Sequence, residues 1–149
     1  MTATQSPMVM LRELAEKALD EVTTQLGKAR TAHRKAVEQL DQLLTYEKEY
    51  RQQFQQSLTQ GISSSNWTNF NIFIKNLDEA IVTYRREVIQ RDQYVQQVVV
   101  NWQEKKKRLN AFDILLERAE NQRLIQGNRR DQKLMDEFAQ RAGARKENL

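Results

Sequence analysis

Cysteine is absent from the 149 residues. That excludes a disulfide framework and a thiolate metal site, and it fits a reducing compartment. Proline occurs once and glycine four times, so turn signals are scarce and long helices are favoured. There is no glycine-rich phosphate loop, no GxSxG elbow and no HExxH helix, so no catalytic constellation is expected. No apolar stretch approaches a membrane span: the longest β-branched run is Val98-Val99-Val100, between Gln97 and Asn101. The opening MTATQSPMVMLREL has no basic segment followed by a long apolar run, and no signal peptide is expected from it. A dominant charge is missing too. The 24 basic and 20 acidic residues are interspersed, for a net charge of +4, which suits a solvated helical surface better than a nucleic-acid face. The one dense basic run, Lys105-Lys106-Lys107-Arg108, spreads around all sides of a helix and makes no single stripe.

What is present is a long periodic pattern. From Trp67 to Ala119, seam residues recur at alternating steps of three and four: Trp67, Phe70, Ile74, Leu77, Ile81, Tyr84, Val88, Arg91, Val95, Val98, Trp102, Lys105, Leu109, Phe112, Leu116 and Ala119. Only Arg91 and Lys105 break the apolar character, and a 3.5-residue repeat held this long marks a left-handed coiled-coil seam. An earlier and weaker seam runs through Val22, Leu26, Ala29, His33, Ala36, Leu40, Leu43, Glu47, Tyr50, Phe54 and Ser57. The single histidine, His33, falls on this seam, where it reads as a tolerated polar residue rather than a ligand or base.

Ser6-Pro7 is a helix start, with serine as cap and proline in the first turn. The strong break is Gly61-Ile62-Ser63-Ser64-Ser65-Asn66, where Gly61 suits a left-handed C-cap and Ser65 or Asn66 a new N-cap. Two seams with a short link predict an all-α fold: two long helices in an antiparallel left-handed coiled-coil hairpin. The expected organisation is one coiled-coil domain over residues 1–149, with helix 1 at about 7–60, a turn at 61–66 and helix 2 paired over about 67–119. Centring the turn near residues 63 and 64 pairs positions whose numbers sum to 127, setting Ser57 against Phe70, Tyr50 against Leu77, and Arg51 near Asp78. Residue 8 then falls opposite residue 119, so residues 120–149 have no internal partner. A polar, unsupported helix is marginal alone, and this tail is expected to be frayed or disordered.

Calling Leu40 and Ile74 position a places Gln39, Leu43, Tyr46 and Tyr50 at g, d, g, d of helix 1, and Phe73, Leu77, Ala80 and Tyr84 at g, d, g, d of helix 2. In an antiparallel pair the g positions flank each other, so these residues form one ledge, with Tyr46 expected beside Ala80 and Gln53 beside Phe73. A two-helix pair cannot bury g positions fully, and aromatic side chains left half-exposed suit protein binding. Nothing inside the chain covers Leu134, Met135 and Phe138 of the tail, which lie among Arg129, Arg130, Lys133 and Arg141.

The segments LRELAEKALDE, LLTYEKEYRQQ, GISSSNWTNFNIFIKNLDEAI, NWQEKKKRLNAF and DQKLMDEFAQRA resemble, in order and spacing, the FliJ family of the bacterial flagellar type III export apparatus. The resemblance spans essentially the whole chain. It implies a non-enzymatic hairpin similar to the rotor stalk of rotary ATPases, without metal or cofactor. It further implies an open end (the start of helix 1 and the end of helix 2) received by the pore of the export ATPase hexamer. The ledge would contact the cytoplasmic domain of the large export-gate membrane protein, and export chaperones would be further partners. Carried over residue by residue, gate binding falls to Gln39, Leu43, Tyr46, Tyr50, Phe73, Leu77, Ala80 and Tyr84. The ATPase ring would meet Leu134, Met135, Phe138, Arg129 and Arg130. The implied location is cytoplasmic, peripheral to the inner membrane at the flagellar base through protein partners. The expected role is a stalk and adaptor coupling ATP hydrolysis to export. The alternative is a chaperone-like binder of export substrates or their chaperones.

Overall fold

The computed structural model describes residues 6–147. The chain forms an all-α helical hairpin of two helices, α1 (Pro7–Gln60) and α2 (Ser64–Glu147). The Ser6 hydroxyl accepts a hydrogen bond from the Val9 amide at 3.3 Å, which satisfies one of the first-turn donors that α1 cannot pair internally. At the other end Gly61 takes a φ of 85°, a backbone conformation that favours glycine as the helix terminator. Its amide donates to the Leu58 carbonyl at 3.3 Å.

The new helix begins earlier than expected. Ser63, not Ser65 or Asn66, is the cap: its hydroxyl accepts from the Asn66 amide at 3.2 Å. The link is therefore Gly61, Ile62 and Ser63, shorter than the expected 61–66. The serines that read as loop by composition are absorbed into the first turn of α2, because helix-breaking character at Ser64 and Ser65 is weak once a cap is supplied one residue upstream.

Two compact units make up the chain, and each takes a stretch of both helices. In the unit Leu19–Glu104 one core cluster joins Val22, Leu26 and Ala29 of α1 with Val95 and Val98 of α2, with Val99 and Trp102 packed against it. A second joins Phe70, Ile74, Leu77 and Ile81 with Leu40, Leu43, Leu44, Tyr50, Phe54 and Phe73. These memberships correct the register. A three-residue link centred on Ile62 pairs positions whose numbers sum to 124. That puts Phe54 over Phe70, Tyr50 by Ile74, Leu43 by Ile81, Leu26 by Val98 and Ala29 by Val95, each an a residue opposite a d residue. Phe54 and Phe70 stack face to face with ring centroids 3.5 Å apart. The expected sum of 127 set d against d; the difference is the miscounted turn. Trp67, expected in the seam, is 52% exposed, because its layer partner at the helix end is the small Ser57. The same register places His33 and Arg91, two polar interruptions of the seams, in one layer, so neither disrupts an apolar one.

The other unit is Met1–Ala18 with Lys105–Leu149. Here Ala15 and Leu109 are buried, again a layer summing to 124, and Arg12 forms an ion pair with Asp113. Met8 and Leu116 are the last half-buried seam residues of this pair, while Ala119 is exposed. Beyond it α2 continues as helix to Glu147. The segment expected to be frayed is thus helical, although its side chains from Glu120 to Lys146 are exposed apart from the half-buried Gly127. Good helix formers dominate this stretch and supply the propensity. The expected tail residues 148 and 149 lie outside the described residues.

Candidate protein-binding surfaces

The ledge is assembled in the unit Leu19–Glu104 by the meeting of two g/d stripes. Tyr50 and Phe73, from opposite helices, have ring centroids 4.4 Å apart, and Tyr46 meets the Phe73 ring edge-on at 6.0 Å. Tyr50 also stacks on Phe70 at 5.3 Å, which ties the surface rings to the core. Offset and edge-to-face pairs of this kind add to what burial alone supplies, by about 0.5–1.5 kcal/mol each. Of the rings on this side, Tyr46 meets Tyr50 of its own helix and Phe73 across the hairpin.

The eight ledge residues differ in what they can offer a partner. Gln39 and Tyr46 are exposed; Leu43, Tyr50, Phe73, Ala80 and Tyr84 are half-buried. Leu77 is only 7% exposed and belongs to the core, so it supports the ledge from below. On the opposite side Arg51 reaches Asp78 at 3.4 Å and Glu47 at 3.0 Å. The Arg51–Asp78 proximity expected from the sequence is present; both are e residues, which flank the seam and so do not follow the layer sum of 124. Two residues on the ledge side were missed. Gln25 donates to the Tyr94 hydroxyl at 2.8 Å, and both occupy g positions, a signal legible in the heptads.

In the other unit the tail displays its apolar residues to solvent. Leu134, Met135 and Phe138 are 63%, 72% and 75% exposed, and Arg129 and Arg130 beside them are exposed as well. Leu124 and Ile125 are also exposed there; their signal, apolar residues past the last paired layer, was available. Arg12 lies half-buried where the pairing ends, and its hydrogen bond to Asp113, with the attraction of that carboxylate, raises its pKa. Glu120 raises the pKa of Arg123 in the same way. Among the described residues, no helix is long and apolar enough to cross a membrane, and no cluster of His, Asp and Glu is placed to hold a metal ion.

A helical hairpin carrying exposed apolar surface on paired and unpaired helix defines a class of protein that works by contact with other proteins. The particular family follows from comparison. The family model described as flagellar FliJ protein matches residues 4–148. The chain is 41% identical over 139 residues to the flagellar FliJ protein of Escherichia coli (strain K12), covering 93% of this chain and 95% of that protein. It is 42% identical over 136 residues to the flagellar FliJ protein of Salmonella typhi, covering 91% and 92%. The chain belongs to the FliJ family, a non-enzymatic component of the flagellar export apparatus.

Proposed function

We propose that this chain is a stalk and adaptor of the flagellar type III export apparatus, joining the export ATPase ring to the export gate and coupling ATP hydrolysis to protein export. The observation that supports this reading is the presence of a distinct apolar surface in each compact unit: the Tyr46–Tyr50–Phe73 ledge in one and the bare Leu134–Phe138 stretch in the other. Two surfaces of different chemistry suit two partners. The ledge is aromatic and rigid, with few rotamers to lose on binding. It is assigned to the cytoplasmic domain of the gate protein. The tail is apolar with arginines, and it is assigned to the ATPase ring, whose pore would supply acidic groups. Export chaperones are further partners, and the site of action is the cytoplasmic face of the inner membrane at the flagellar base.

The test uses the full chain and two variants. Tyr46→Ala with Phe73→Ala is expected to weaken binding to the isolated cytoplasmic domain of the gate protein, while stimulation of the ATPase is kept. Met135→Ser with Phe138→Ser is expected to do the reverse. Loss of both activities in each variant, with helical content unchanged, would overturn the division into two surfaces.

A further inference from the structure

We propose that the first four turns of α1 carry a second, unpartnered seam that receives an amphipathic helix with acidic flanks from another protein. The seam is Leu11, Leu14 and Ala18, spaced by three and four, beside Ala15, which is buried in the hairpin. A helix with two adjacent apolar heptad stripes is built for two neighbours. Here α2 fills one stripe. Leu11 is 45% and Leu14 61% exposed, so the other is open to solvent. The stripe forms one wall of a groove whose opposite wall is Lys105 and Arg108 of α2, with Ala15 and Ala18 as its small-residue floor. Small residues at the bottom let a third helix approach closely, and leucines three residues apart present its anchors with holes.

The charge of the groove decides among occupants. Arg108 sits with its guanidinium carbon 6.0 Å from the Phe112 ring centroid, which anchors its stem, and Lys105 is half-buried at the seam. An occupant must bring carboxylates to meet them. A second copy seated by its own matching groove would set this basic wall against itself, and two leucines and two alanines a side fall short of the roughly 1,000 Å² that a stable dimer needs. The tail of a second copy mixes Arg129, Arg130, Lys133 and Arg141 with Asp131, Asp136 and Glu137, so it brings no uniformly acidic flank to this wall. A foreign helix with leucine at its a and d positions and glutamate along one flank satisfies both walls. This site is distinct from the tail and the ledge, and it uses the basic run that neither of them employs.

The probe is a helical 21-residue peptide with leucine at a and d and glutamate at e and g, compared by fluorescence anisotropy with a twin carrying lysine at e and g. The full-length chain is expected to bind the glutamate peptide at least about tenfold more tightly, with the preference shrinking as salt rises. Leu14→Ser should weaken that binding by about tenfold or more, the loss of one leucine anchor. Its side chain is too exposed for the change to unfold the chain, and circular dichroism checks this. Arg108→Glu should reverse the preference between the two peptides, and Met135→Ser with Phe138→Ser should leave it unchanged. Equal binding of the two peptides, or binding indifferent to Leu14→Ser, overturns the proposal. So does a chain dimer abolished by Leu14→Ser in sedimentation, which would make a second copy the occupant. Because the tail variant is measured alongside, failure here is separable from failure of the two-surface reading.

Discussion

Leu77 and Phe73 lie one helical turn apart on α2 and belong to one aromatic and aliphatic patch, yet their burial separates them. Leu77 is 7% exposed and packed in the core cluster, whereas Phe73 is half-buried and packed against it. Leu77→Ala should therefore destabilise the hairpin by about 2–4 kcal/mol, and Phe73→Ala by less, measured by urea melting. If Phe73→Ala proves as costly as Leu77→Ala, the ledge is core rather than surface. Across the hairpin, the Arg51–Asp78 pair at 3.4 Å, with both side chains about half exposed, should show a coupling of about 0–1 kcal/mol in a double-mutant cycle. The Arg12–Asp113 pair differs in its pH behaviour only formally. A raised arginine pKa contributes stability that is complete below the unfolded value and lost only as pH rises through the folded one, beyond any working pH. At this scale the heptads placed Tyr46, Tyr50 and Phe73 on one side of the hairpin. They did not say which ring meets which, because a shift of three residues keeps every seam residue in the seam while changing every partner.

The elements themselves were legible from punctuation. Ser6-Pro7 and Gly61 mark the ends of α1 as the structure has them, and the start of α2 lies three residues before the expected one because Ser63, rather than Ser65 or Asn66, is the cap. Which one caps depends on hydrogen-bond geometry that composition does not carry. The two glycines of α1 and its terminus give opposite expectations. Gly61 sits at φ 85°, so Gly61→Ala should cost about 1 kcal/mol although nothing crowds an added Cβ. Gly27 is in mid-helix with no atom within 4 Å of an added Cβ, so Gly27→Ala should raise stability by about 0.5–1 kcal/mol. Thermal melts of the two single variants and the double, compared for additivity, check both signs.

For the whole molecule the governing fact is inequality of the two helices: α1 has 54 residues and α2 has 84. A link centred on Ile62 pairs Pro7 with position 117, so the last half-buried seam layer is Met8 with Leu116, and α2 beyond Glu117 has no partner in α1 among the described residues. The sequence carried this argument even with the register off by three. The reason is that a seam stops where its partner stops, whatever the exact pairing. What the sequence could not carry is the helicity of the tail, since a lone polar helix is decided by small propensity differences rather than by a pattern. Deleting residues 120–149 should consequently leave the melting temperature of the hairpin within a few degrees of the full chain, because no buried layer is removed. The same deletion should abolish stimulation of the export ATPase, because Leu134, Met135 and Phe138 go with it. A truncated chain that melts early would mean that the tail folds back onto the hairpin in solution. A truncated chain that still stimulates the ATPase would move that contact to the start of α1, where Leu11 and Leu14 offer an uncovered apolar stripe in the same unit.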